Sequence, residues 1–125
     1  MKHTLLILVV LALVGCASAP KLNNAKTSAI FSNPIDEVQK AAVDAIVVSG
    51  FNIKRQEPTY VEGARPRKIG LFVGSGGETI GVWLTSQTSD KTEVKVSTSK
   101  SLVGIVGQVD WSDQILAEIK KTLKK

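Results

Sequence analysis

The 125-residue sequence contains one cysteine and one histidine, and that scarcity removes whole classes of function. A lone cysteine builds neither an intramolecular disulfide framework nor a Cys-cluster zinc site. The histidine, His3, lies in a segment expected to be cut away, so the working chain has no His to activate a Ser or Cys nucleophile. Aromatic residues are sparse at 5%, and they are not interleaved with basic residues as a nucleic-acid interface requires. The acidic residues are scattered, so no calcium loop is present, and neither a metal nor any other cofactor is expected. No apolar run approaches the roughly 20 residues of a membrane-crossing helix. What is present is 43% apolar and 22% charged, with 16 Lys+Arg against 11 Asp+Glu. Such a chain folds as one globular domain, without visible internal repeats.

Residues Met1 to Cys16 read MKHTLLILVVLALVGC. Lys2 supplies a positive start, and Leu5 to Val14 contains no polar residue. Small residues follow, which marks an export signal that is removed. Leu13-Val14-Gly15-Cys16 resembles a lipobox, the recognition sequence of bacterial lipoproteins. That resemblance implies cleavage between Gly15 and Cys16, a diacylglycerol on the Cys16 sulfur and acylation of its new amine. Acyl chains contribute about 0.8 kcal/mol per buried methylene, so more than one gives stable anchoring in a membrane. By the same resemblance Ala17, where inner-membrane retention shows Asp, implies sorting to the outer membrane, facing the periplasm. Removing residues 1–15, Lys2 and His3 among them, leaves 110 residues with 15 basic against 11 acidic groups, a balance of +4.

Three regions are expected: a signal peptide over 1–15, a lipidated tether over 16–28 and a single α+β domain over 29–125. The tether is small and polar, flexible by composition, and would hold the domain off the bilayer. A helix is expected over Pro34 to Ser49, with Asn33 as N-cap and Gly50 just past its end. Ile35, Val38, Ala42, Ala45, Ile46 and Ser49 form its apolar stripe. Strand patterns follow. Phe51, Ile53 and Arg55 alternate with polar neighbours, and Tyr60 to Ala64 and Lys68 to Val73 are weaker runs. Gly74 to Gly77 reads as a turn. Thr79 to Thr88 places Ile80, Val82 and Leu84 opposite Trp83, and Thr92 to Ser99 places Val94 and Val96 opposite Glu93 and Lys95. Asp110 resembles an N-cap, after which Trp111, Ile115, Ile119 and Leu123 recur at helical spacing. The expected architecture is an antiparallel sheet of four or five strands, with an N-terminal and a C-terminal helix on one face.

Few residues carry chemistry. Asp36 with Glu37, and Asp110 with Asp113, are the close carboxylate pairs a glycan hydrolase would need, but both stand at helix starts where capping explains them. The Gly74 to Gly77 loop lacks the Gly-Lys-Ser/Thr ending of a P-loop and leads into a strand. Arg65, Arg67, Lys68 and the C-terminal lysines form a basic group that either meets anionic lipid or is simply solvated. The apolar, glycine-punctuated stretch from Leu102 to Trp111 has two readings, as sheet cover or as a partner-binding loop. Leu102, Val103, Ile105, Val106 and Trp111 are its candidate contact residues, and Trp83, on the polar face of its strand, is another.

With the lipobox, the helix from Asn33 to Gly50, the Thr92-Glu93-Val94-Lys95-Val96 strand and the closing Trp111…Ile115-Leu116…Ile119 helix in place, the chain resembles small Gram-negative lipoproteins of unknown function. Its layout is similar to the helix-grip domains of the lipoprotein C component of the outer-membrane β-barrel assembly machine. A shared fold does not by itself carry a function; the expected function is that of a membrane-anchored, non-enzymatic envelope protein that binds another envelope protein, through Leu102 to Trp111 or the exposed face of the sheet, and no nucleic acid. A module enclosing a small hydrophobic or lipid-like ligand is the alternative. An apolar cavity beneath the closing helix would favour the ligand module, and a filled core with an exposed apolar loop the protein-binding one.

Overall fold

The computed structural model describes residues 19–66, 68–69, 74–75, 77–100 and 109–124. A 3-10 helix at Leu22–Asn24 precedes β1 (Thr27–Phe31), α1 (Ile35–Val48), β2 (Asn52–Glu57), β3 (Tyr60–Ala64), β4 (Lys68–Ile69), β5 (Gly74–Ser75), β6 (Thr79–Thr88), β7 (Lys91–Ser99) and α2 (Ser112–Leu123). Five strands form one antiparallel sheet in the order β1-β7-β6-β3-β2, and β4 pairs with β5 as a separate ribbon. Both helices pack on one face of the sheet, so the chain has the α+β architecture its periodicity implies.

Local chemistry sets the boundaries of α1. Pro34 is extended (φ −59°, ψ 152°) and is itself the N-cap. Its carbonyl accepts the first helical bond, from Val38 N–H at 3.1 Å. Asn33 was expected in that role, but its side chain instead donates to Glu37 Oε2 at 3.1 Å. Gly50 ends the helix at φ +91°, a left-handed conformation that costs glycine little. The buried face of α1 is Val38, Ala41, Ala42, Ala45 and Ile46. Three alanines on that face let the backbone approach the sheet closely.

The core lies between this face, Ile115 and Ile119 of α2, and the inward side chains of three strands. Val61, Ile80, Val82, Val94 and Val96 are all fully buried. Register explains why: Val61 lies opposite Val82, and Val82 opposite Val96, so the period-two pattern turns every second side chain inward. Burying each isoleucine contributes roughly 2 kcal/mol.

Four expectations need correction. Strand β1 begins inside the expected tether, at Thr27 and Ser28, and pairs with β7 from Thr27↔Val96 to Phe31↔Thr92. In β2 the register shifts between Ile53 and Arg55. Lys54 is the extra residue, so Ile53 and Gln56 share the side of Val61 and Gly63 while Arg55 falls beside Glu62 on the other. Gly74 and Ser75 are not a turn but a strand, opposite Ile69 and Lys68. They continue the β3–β6 hairpin beyond a neck where Arg65 N–H bonds Glu78 O and Gly77 N–H bonds Arg65 O. Finally, α2 starts at Ser112 with Trp111 as N-cap, one residue later than expected.

The sheet face away from the helices is not bare. Trp83 and Tyr60, directly opposite in register, stack at 5.2 Å between ring centroids. Pro20 is buried where the Trp83 ring lies over Gly81. A Cβ on Gly81 would stand 2.7 Å from that ring and 2.9 Å from Pro20 Cβ. The segment expected to be a free tether thus crosses this face, from β6 at Pro20 over β7 to its entry into β1.

Candidate functional site

At one end of the sandwich the β3–β6 neck, the last turn of β7 and the start of α2 meet. Alternation along β6, carried one step back from Ile80, turns Glu78 inward, and Glu78 is fully buried. Its Oε2 accepts from Trp111 Nε1 at 2.8 Å and from Arg65 Nη1 at 3.2 Å. The Arg65 guanidinium also lies 4.8 Å from the centroid of the Trp111 ring, and Phe51 meets that ring edge-on at 5.5 Å. Glu78 Oε1 has no hydrogen-bond partner among the described residues. A buried carboxylate that orders an arginine and an indole is a clamp: it fixes the hairpin neck to the start of α2.

A second polar knot adjoins it. Thr98 Oγ1 bonds Asp110 Oδ1 and Ser112 Oγ, each at 3.0 Å, and accepts from Trp111 N–H at 3.0 Å. Asp110 Oδ1 accepts from Ser112 N–H at 2.9 Å. Burial pushes the Asp110 carboxyl up, but the Ser112 backbone and side-chain hydrogen bonds, Thr98 and the charge of Lys100 outweigh it and hold the group below its ordinary range. A depressed folded value means stability that is present above the unfolded carboxylate range and lost as pH falls through the folded one. Unfolding measured against pH should therefore show an acid-side loss that shrinks in Asp110→Asn. An unchanged acid limb in that variant would contradict the assignment.

The structure places the sequence candidates as follows. Trp111 is half-buried and turned into the clamp, so it supports this end of the molecule instead of presenting a free ring. Trp83 is half-buried on the open sheet face against Tyr60. Leu102, Val103, Ile105 and Val106 lie outside the described residues, as do Gly15 and Cys16. Arg65, one of the basic group proposed for lipid, is engaged by Glu78. Of the carboxylate pairs, Glu37 accepts from Asn33, Asp113 accepts from Thr27 Oγ1 at 2.7 Å, and Asp110 is held by Ser112. Tyr60 donates to Glu62 at 2.6 Å. Burial and that bond raise its hydroxyl above the usual phenol range. No three His, Cys, Asp or Glu residues converge as a metal set among the described residues, and no helix there is long and apolar enough to cross a membrane.

Glu78 was missed by sequence reading. Its signal was the inward alternation of β6, which that reading began at Thr79.

No family model and no curated protein matches the chain. Among solved structures it is similar to a conserved protein from Geobacillus kaustophilus, at 13% identity and a TM-score of 0.41, over 78% of this chain and 93% of that one.

Proposed function

We propose that the chain is a periplasmic lipoprotein, anchored in the outer membrane through acylated Cys16, whose folded part is a non-enzymatic protein-interaction or envelope-accessory module. The leader and the Leu13-Val14-Gly15-Cys16 pattern support the anchor. The observation that favours a protein-binding module over a ligand carrier is the core, filled among the described residues. Ile115 and Ile119 of the closing helix are fully buried in the place where a carrier needs an apolar hollow. A cavity of about 600 Å³ between the helices is a groove open to solvent, not an enclosed apolar hollow, and its lining mixes charged side chains such as Glu37, Lys40 and Glu118 with apolar ones such as Val48 and Leu123.

Two measurements test this reading. The wild-type chain should incorporate labelled palmitate and float with outer-membrane vesicles, and Cys16→Ser should lose both properties. Mild cross-linking in the native envelope followed by mass spectrometry should then recover one dominant protein partner. An unmodified N-terminal Met, or a co-purifying small hydrophobic molecule with no protein partner, would overturn it.

A further inference from the structure

The buried Pro20 changes the geometry of anchoring. Cys16 stands four residues before Pro20, a span of at most about 14 Å even when fully extended. If the whole stretch from Cys16 to Ser28 were free, the leash would be nearly three times as long. Pinning Pro20 against Gly81 and Trp83 therefore brings the acyl chains to the open face of the sheet, close to where the segment crosses it.

The surface at that crossing suits a bilayer interface. Beyond Pro20 the segment forms one side of a groove of about 360 Å³ whose lining includes Lys21, Asn24, Ser97 and Lys100, with no acidic residue among the described ones. Lys21 and Lys100 are exposed. Two further basic groups of the sheet are engaged: Arg55 with Glu57 at 2.6 Å, and Lys95 with Glu93 at 3.7 Å. Asp110, whose carboxylate feels the charge of Lys100, is held by Ser112 and Thr98. Two exposed apolar side chains adjoin these groups in the chain: Leu22 (46%), which follows Lys21 in the 3-10 helix, and Val109 (53%), which precedes the Asp110 that feels the charge of Lys100. Basic groups flanked by exposed aliphatics at an acyl anchor are what the headgroup boundary of an anionic membrane binds.

We propose that this corner of the domain rests on the bilayer, with Lys21 and Lys100 on the phosphates of anionic lipid headgroups and Leu22 and Val109 in the interface. The domain is then clamped to the membrane by its sheet, and the helix layer turns to the periplasm. This posture rests on the acylation of Cys16 proposed above and adds to it a defined face.

Acylation occupies Cys16, so single new cysteines can carry a fluorophore in the full lipoprotein. Asn24→Cys lines the groove, and Lys120→Cys lies exposed on the helix layer. Each labelled protein is reconstituted in phosphatidylethanolamine vesicles containing phosphatidylglycerol and a headgroup-borne nitroxide quencher. The probe at position 24 should be quenched several-fold more than the probe at 120, and the excess should be lost when Lys21→Glu and Lys100→Glu are combined. Equal quenching at the two positions, or an excess that survives charge reversal, overturns the posture. The N-terminal peptide mass and flotation are recorded on the same sample. A floating, acylated protein with equal quenching sinks the posture alone, whereas an unacylated N-terminus takes the lipoprotein reading down with it.

Discussion

Replacing Glu78 with alanine is expected to lower folding stability by about 3 kcal/mol. Removing one partner of a buried ion pair costs about 3–5 kcal/mol because the other charge is left without compensation. Here the Arg65 side chain keeps 27% of its exposure, so water can recover part of its solvation and the cost falls to the lower end of that range. The indole adds to the loss, since Trp111 Nε1 gives up its 2.8 Å acceptor at the half-buried start of α2. Glu78→Gln keeps an amide oxygen for the indole but not the charge facing Arg65, and should cost about half as much. Urea unfolding followed by far-ultraviolet circular dichroism measures both variants without relying on Trp111 as the probe. The Trp111 emission should shift to longer wavelength in the alanine variant even where the protein remains folded. A loss under about 1 kcal/mol for alanine would mean that the clamp contributes no more than an exposed pair does.

The clamp also shows how far periodicity reads and where it stops. Strands β6 and β7 were legible almost to the residue because each buries one face and wets the other, so Ile80, Val82, Leu84, Val94 and Val96 announce themselves. Helix α1 was legible for the same reason at a different period. Strand β1 was not. It is an edge strand whose inward residues are Thr27, Ala29 and Phe31, while its largest aliphatic, Ile30, faces outward and is 62% exposed. The pattern is thus inverted at the position that carries most weight. In β2 the extra residue at Lys54 breaks the alternation, and a period-two reading then assigns Arg55 to the wrong side.

Polar groups were harder to place than apolar ones, and for a physical reason. An Asp or Glu near a helix start reads as a cap whatever else it touches, and a glutamate before a strand reads as loop. The burial of Glu78 depends on Arg65 and Trp111, which lie 13 and 33 residues away in the chain, and no local pattern reports partners at that separation. Pro20 is a similar case. A proline in a polar, aperiodic stretch gives no local sign of burial, yet Gly81 leaves the Trp83 ring free to lie flat and a proline ring free to pack beside it. The likeness of composition between a free tether and a docked one is what hid the packing of Pro20 on the sheet.

The same logic of a missing side chain supports the sharpest packing test. Gly63 faces the core from β3, and a methyl built there would overlap Ile46 Cγ2 and stand 3.2 Å from Phe51 Cβ. Overpacking of this kind costs about 1–3 kcal/mol, and Gly63→Ala should fall near the top of that range because the methyl it meets is the branch of a fully buried Ile46 on α1. Ile46→Ala removes the obstructing methyl and should itself cost about 3 kcal/mol through the cavity it opens. Independent sites would sum to about 5–6 kcal/mol in the double variant. Instead, the methyl introduced by Gly63→Ala enters the space vacated by the isoleucine, so the double variant should be little worse than Ile46→Ala alone. The coupling, favourable by about 2 kcal/mol, would be read from chemical unfolding of all four proteins. Rescue remains incomplete because the Phe51 contact stays tight. Simple additivity would show that α1 lifts from the sheet to accept the methyl, and that the three alanines of its buried face set its height less firmly than their packing implies.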